Sequence, residues 1–249
     1  MKKLCAVVLL AGILLLITSC KAEQDSTSIT IAMEPSVNAT SVYGFAYPGI
    51  VPAIATVPVD PYLIYVSRDY ALPAIFIPAL QVCIATYPEK IEMEATAATQ
   101  YKVMYDAALA EGAEIVPYSG YRSISHQKDI FDYQISTFVS KGYPQAEAVN
   151  LAALSILPPG CSEHNTGLAI DITCPGVWDT SEDFKATKEF AWLQAHAHEY
   201  GFILRYPDDK QDITDVMFEP WHWRYVGAEP ATIMKESGYC LEEHLGITS

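Results

Sequence analysis

The sequence predicts an α+β domain in which a few strands are surrounded by helices, segregated rather than strictly alternating along the chain. Two apolar-periodic stretches with clear stop signals, Ala95–Ala110 before Gly112 and Ser125–Lys141 before Gly142, supply helices. Two β-rich runs near the end, Phe202–Tyr206 and Trp221–Val226, supply strands, and Pro220 argues against a helix at the second.

The chain has 249 residues, enough for one sizeable domain with its own core. Its hydrophobic fraction of 51% overstates that core. Met1-Lys2-Lys3 is a short basic start, Leu4 to Ile17 is almost wholly apolar, and Thr18-Ser19-Cys20 follows. This is the order of an export signal with a small-residue cleavage site, and the apolar run is short for a membrane span. Residues 21–58 are rich in Ser, Thr, Ala, Val and Pro and read as a tether, partly ordered near Tyr43–Tyr47. The organisation expected is a signal over 1–19, a tether over 20–59 and a folded domain over 60–249.

Within that domain, Tyr62–Val66 reads as a strand, and Pro88 onward leads into the Ala95–Ala110 helix. Glu114–Tyr118 is a short strand, followed by the turn Ser119–Ser123 and the second helix. A third helix opens with Pro144 in its first turn and ends before Pro158-Pro159-Gly160. A loop then enters a strand over Gly167–Thr173, and a helix over Asp183–Tyr200 closes at Gly201. After the two β-rich runs, a last helix covers Pro230–Glu236.

Removing residues 1–19 takes away Lys2 and Lys3 and no acid, leaving 13 basic against 30 acidic residues, a net charge of −17. That balance excludes a nucleic-acid partner, which requires phosphates to be neutralised by Lys and Arg. It also disfavours adsorption to an anionic surface, and it fits a monomer that depends on a tether. Cys83, Cys161, Cys174 and Cys240 belong to the domain. Cys161 and Cys174 flank one polar block and either bridge to brace it or stay as buried thiols, the latter being the expectation.

Chemistry concentrates in two blocks, Ser162-Glu163-His164-Asn165-Thr166-Gly167-Leu168-Ala169-Ile170-Asp171 and Glu219-Pro220-Trp221-His222. His164, Asp171 and His222 form a two-imidazole, one-carboxylate set of the kind that holds zinc and leaves one position open. His164 and Asp171 are seven apart, which suits no helix face but suits a loop entering a strand, with Gly167 permitting the close turn. Glu219 is read as the general base, with a fourth ligand as its competing role. Arg122, in its tight turn, is a candidate clamp for a carboxylate or an oxyanion. Gln127, Ser162, Tyr206 and Trp221 are weaker candidates for hydrogen bonds and an aromatic wall. His126, His196, His198 and His244 have no partner pattern and are read as non-ligands.

Ser119-Gly120-Tyr121-Arg122-Ser123 with Gln127, Ser162-Glu163-His164 through Asp171, and Glu219-Pro220-Trp221-His222-Trp223-Arg224-Tyr225-Val226-Gly227 together resemble the VanY-type zinc D-alanyl-D-alanine carboxypeptidases, over roughly Asp60 to Gly246. The resemblance implies the Hedgehog/D,D-peptidase fold, with a small antiparallel sheet carrying one Zn2+ and helices packed around it. It implies zinc on His164, Asp171 and His222, catalysis by Glu219 and Arg122, and a substrate pocket shaped by Gln127, Ser162, Tyr206 and Trp221. The implied substrate is the peptidoglycan stem peptide, cut at its C-terminal D-residue. An L,D-carboxypeptidase acting on tetrapeptide stems and a non-catalytic zinc-containing wall-binding lipoprotein are the alternatives. Ile17-Thr18-Ser19-Cys20 likewise resembles a bacterial lipobox, implying lipidated Cys20 and an extracytoplasmic, membrane-anchored protein. The alanine-rich stretch after Leu72 departs from the family pattern and is expected at the pocket rim.

Overall fold

A computed structural model describes residues 43–85 and 90–247; the segment expected to be an export signal and Cys20 lie outside them. The ordered body extends upstream of Asp60. Tyr47 stacks edge-on against Phe131 at 4.9 Å and its hydroxyl donates to Asp132 Oδ1 at 2.8 Å. Strand β1 (Ala53–Ile54) then pairs in parallel with β2 (Tyr70–Ala71).

Between them, Tyr62–Val66 is not a strand. Asp60 accepts from Tyr62 N at 3.0 Å and starts a 3-10 turn over Pro61–Leu63. The carbonyls of Tyr62 and Ile64 accept from Arg224 Nη2 at 2.9 and 2.7 Å instead of from a neighbouring strand. The apolar run that suggested a strand is a buried loop whose polar backbone is satisfied by a distant side chain.

Two strands absent from the sequence reading follow, β3 (Leu80–Ala85) and β4 (Lys90–Glu94), paired antiparallel with a bulge near Cys83. Glu94 ends β4 and caps helix α1 (Ala95–Ala110), accepting from Thr96 N and Ala97 N at 2.8 and 3.1 Å. That helix has the predicted limits. Strand β5 (Val116–Ser119) and helices α2 (Ile124–Ser140) and α3 (Gln145–Ala152) also lie within two residues of expectation at their starts. Residues 73–79 do not form the pocket rim. Pro78 and Leu80 pack instead toward Gly167, behind the metal-ligand turn.

A four-stranded antiparallel sheet positions the polar block. Strands β5, β6 (Ala169–Thr173), β7 (Phe202–Leu204) and β8 (His222–Tyr225) lie in the order β5-β6-β8-β7. Side chains alternate across a strand. Ile170 and Ile172 of β6 and Trp223 and Tyr225 of β8 therefore enter one core with Ala97, Ala98, Tyr101, Met104 and Ala108 of α1. Asp171, His222 and Arg224 take the opposite face. Truncating Met104, fully buried in this core, to Ala would cost about 2–5 kcal/mol.

The helix expected over Asp183–Tyr200 is broken in three: a 3-10 segment at Glu182–Ala186, α4 (Lys188–His196) and a second 3-10 turn at Ala197–Tyr200. Thr187 causes the first break, since its extended backbone and its hydroxyl, which accepts from Phe190 N at 3.1 Å, start α4 afresh. The short α5 (Gln211–Thr214) precedes Glu219, and α6 (Ala228–Ser237) is the predicted last helix. A further one, α7 (Leu241–Leu245), packs Leu241 with Met234 and Val226. Among the described residues no helix is long and apolar enough to cross a membrane, and Cys83, Cys161, Cys174 and Cys240 are buried thiols.

Candidate active site

Strand register brings two of the predicted ligands together, because Asp171 of β6 lies directly opposite His222 of β8. The third arrives on a 3-10 turn, Glu163–Thr166, that ends at Gly167 in the left-handed conformation with φ 74°. Gly167 is required there on two counts. A side chain would be strained by that φ, and its Cβ would lie 3.0 Å from Glu94 N. Gly120 matters for closeness alone: a Cβ would stand 2.3 Å from the Glu92 carbonyl oxygen. With Gly120 pressed onto β4, its own carbonyl accepts from His164 Nδ1 at 2.8 Å, which leaves His164 Nε2 facing the site.

His164 Nε2 is 3.4 Å from Asp171 Oδ2, and His222 Nδ1 is 3.2 Å from Asp171 Oδ1. Donors bound to one tetrahedral zinc at ~2.0–2.1 Å lie about 3.3–3.4 Å apart. One donor atom from each of the three residues falls within 4.8 Å of the others, and all three residues are buried. The set therefore fits zinc in type, number and spacing, and as a three-donor set it leaves a coordination position free. Among the described residues this is the one such cluster, and His126, His196, His198 and His244 take no part in it.

Charge at the site is strongly redistributed. Burial alone would raise the Asp171 pKa, but His164 and His222 hold it well below the usual carboxylate range. Burial would lower that of His222, yet hydrogen bonds to Asp171 and Glu163 push it up to about 9. In the metal-free protein a proton on His222 Nδ1 thus supplies positive charge where the carboxylates demand it, as a cation would. Glu219 stands outside the three-donor set. Its carboxylate is 3.7 Å from His222 Nδ1 and its side chain is 23% exposed. Burial, reinforced by Asp171 and Glu163 against the pull of His222 and Arg122, raises its pKa to about 7. A carboxyl poised near neutrality can take and return a proton.

The site lines an open groove of about 310 Å³ that contains every residue singled out in the two blocks for chemistry, together with Arg122, Gln127 and Tyr206. Arg122 Nη1 donates to Gln127 Oε1 at 2.8 Å, and Gln127 Nε2 donates to the Leu157 carbonyl at 2.6 Å. Gln127 is buried. Its amide thus aims Arg122, and Asn165, whose Nδ2 donates to the Arg122 carbonyl at 2.7 Å, fixes the backbone beneath it. Tyr206 packs its ring 5.0 Å from that of His222, while Ser162 and Trp221 complete the wall.

Sequence reasoning missed what lies behind His222. Glu163, Arg205, Arg224 and Glu242 form a buried ionic cluster with two charges of each sign. Its signal was present: Arg205 and Arg224 each interrupt an apolar β-run, where a charge must be buried and paired.

Residues 90–228, more than half of the chain, match the VanY family model, described as D-alanyl-D-alanine carboxypeptidase. The D-alanyl-D-alanine carboxypeptidase of Enterococcus faecalis is 38% identical over 183 residues, covering 74% of this chain and 65% of that protein. The chain spans just under two thirds of the length of that protein and of the putative carboxypeptidase YodJ of Bacillus subtilis, to which it is 39% identical over 189 residues. Among solved structures, a mutant of the vancomycin-resistance D,D-pentapeptidase VanY from a VanB-type cassette, in complex with Zn(II), is similar at 36% identity with a TM-score of 0.63 (74% of this chain, 98% of that one). VanYB in complex with D-alanine-D-alanine is similar at 36% identity, with a TM-score of 0.64 and coverage of 74% and 97%. The LD-carboxypeptidase LdcB is 36% identical with a TM-score of 0.70, over 80% of this chain and 91% of that one.

Proposed function

The chain belongs to the VanY family, and from that premise we propose that it is a zinc D-alanyl-D-alanine carboxypeptidase that removes the C-terminal D-alanine from peptidoglycan stem peptides. The observation that carries this reading is the spacing of His164, Asp171 and His222 for one tetrahedral ion, with Glu219 free beside them. Zinc, when bound, polarises the scissile carbonyl and lowers the pKa of water.

The chain's own residues do the rest. Glu219, held near neutrality, accepts the proton of the attacking water and returns it to the departing amine. Arg122 binds carboxylate or oxyanion charge, and Gln127 keeps its guanidinium turned into the groove. Tyr206 and Trp221 form the wall against which the peptide lies.

A second reading, L,D-carboxypeptidase activity on tetrapeptide stems, is favoured by the 0.70 TM-score to LdcB. The deciding experiment measures D-alanine release from muramyl pentapeptide and tetrapeptide by the full chain in detergent, with and without chelator. Chelator-sensitive release from the pentapeptide is expected. Release from the tetrapeptide alone moves the protein to the second reading, and release from neither, with zinc bound, overturns both and leaves an endopeptidase or a wall-binding protein.

The setting belongs to the proposal too. The apolar run before Ile17-Thr18-Ser19-Cys20 supports acylation of Cys20 and a place on the outer face of the membrane. Cys20→Ala is expected to move the protein from the membrane to the soluble fraction; unchanged membrane retention would overturn the anchor.

A further inference from the structure

His222 has a carboxylate on each side. Nδ1 faces Asp171 and Glu219, and Nε2 lies 3.3 Å from Glu163 Oε2. Glu163 is fully buried, and its other oxygen, Oε1, accepts from Arg205 Nε and Arg224 Nη1, both at 2.7 Å. Those arginines have no freedom to turn away. Arg205 Nη1 and Nη2 grip Glu242 at 3.0 and 2.6 Å. Arg224 Nη2 donates to the Tyr62 and Ile64 carbonyls, and its Nε to that of Tyr225. With Oε1 held by two donors, Oε2 has one direction left, toward His222.

The contrast with the other imidazole is informative. His164 is oriented by a neutral carbonyl, that of Gly120. His222 is oriented by a full negative charge, kept ionised in a low-dielectric interior by two arginines. A carboxylate accepting from one ring nitrogen fixes the tautomer and makes the other nitrogen a stronger donor.

The geometry points to Glu163 as a positioning residue for the metal: it accepts the Nε2–H of His222, turns the Nδ1 lone pair toward Asp171, and strengthens His222 as a zinc ligand. This rests on the zinc reading above, and the test separates the two. Zinc affinity of the full chain is measured by competition with a chromophoric chelator, for wild type and for Glu163→Asp. The shorter side chain keeps its charge for the arginines but draws back from His222. We expect zinc binding weakened about 10–100-fold with folding retained, as judged by near-UV circular dichroism. A folded variant with wild-type affinity overturns the inference, whereas a wild type that binds no zinc overturns the reading beneath it.

Should the variant fail to fold, the zinc-loaded wild type decides. With 15N-labelled histidine, His164 should show a protonated Nδ1 and a metal-bound Nε2. His222 should show the reverse, with its Nε2 proton shifted downfield by the carboxylate. Metal on His222 Nε2, or an Nε2 proton without that shift, overturns the inference.

Discussion

Two glutamates flank one imidazole and have opposite fates. Glu163 sits behind His222, fully buried, with two arginines on one of its oxygens. Burial would raise its pKa, but Arg205 and Arg224, aided by His222, hold it well below the usual carboxylate range. Glu219 sits in front, at the groove, with His222 at 3.7 Å but no guanidinium hydrogen-bonded to it among the described residues, and its pKa rises to about 7. The side chains are chemically identical and lie on either side of the same ring. What separates a permanent charge from a proton carrier is the number of guanidinium groups within reach.

That contrast can be broken from either side. The largest effect is expected in front: Glu219→Ala should lower kcat on the pentapeptide by on the order of 10²–10⁴-fold while zinc stays bound. Loss of the metal in that variant, measured by elemental analysis, would move Glu219 into the ligand set and erase the distinction.

Behind the ring the expected damage is to stability. Arg224→Met leaves Glu163 under-compensated in the interior and three carbonyls without their donor, and should cost about 3–5 kcal/mol in urea unfolding. A loss below about 1 kcal/mol, within the range of an ordinary hydrogen bond, would mean that the cluster does not hold Glu163 as described.

Acidity sharpens the comparison further, because the two carboxyls pull stability in opposite directions. Glu163 titrates lower folded than unfolded, so its contribution is present above about 4.5 and is lost as pH falls below it. Glu219 titrates higher when folded. Its contribution is present below about 4.5 and is lost as pH rises toward 7. In the metal-free protein that loss is on the order of 3 kcal/mol, and Glu219→Gln should remove it. An unchanged pH profile of unfolding in that variant would show that Glu219 is not raised.

The smallest effect concerns aim. Gln127→Ala should reduce kcat/KM by roughly 10-fold through loss of the Arg122 contact, a change equivalent to one hydrogen bond to a charged group. Zinc affinity should stay as in wild type; a parallel fall in zinc affinity would place Gln127 with the ligand shell rather than with Arg122.

Much of this was legible in the residues. Ala95–Ala110 is readable to the residue because its apolar residues recur at three- and four-residue spacing and Gly112 follows its end; the Glu94 cap that fixes its start is seen only in the structure. The ligand set of His164, Asp171 and His222 is readable from its residue types and motif blocks, whereas the ladder that sets Asp171 opposite His222 is seen only in the structure. The strands Leu80–Ala85 and Lys90–Glu94 do carry strand alternation, Val82 and Ile84 in one and Ile91 and Met93 in the other; reading Pro88 onward as the lead into the Ala95–Ala110 helix hides it, because the second strand runs straight into the helix through Glu94. Tyr62–Val66 misled for the converse reason, its apolar pattern reporting burial and not pairing. The arginines around Glu163 lie 42 and 61 positions from it and Glu242 a further 37 beyond Arg205, distances over which spacing carries no information.

The grip of Arg205 on Glu242 also sets a clock. The helix bearing Glu242 is the last one among the described residues, so the cluster carries an excess of positive charge until that helix has been made and has docked. Full ordering of the imidazole that receives the metal therefore waits on a segment that follows both ligand blocks. A nascent chain still lacking Leu241–Leu245 would bind zinc weakly, and hydrolytic competence would serve as a molecular receipt for the docking of that helix.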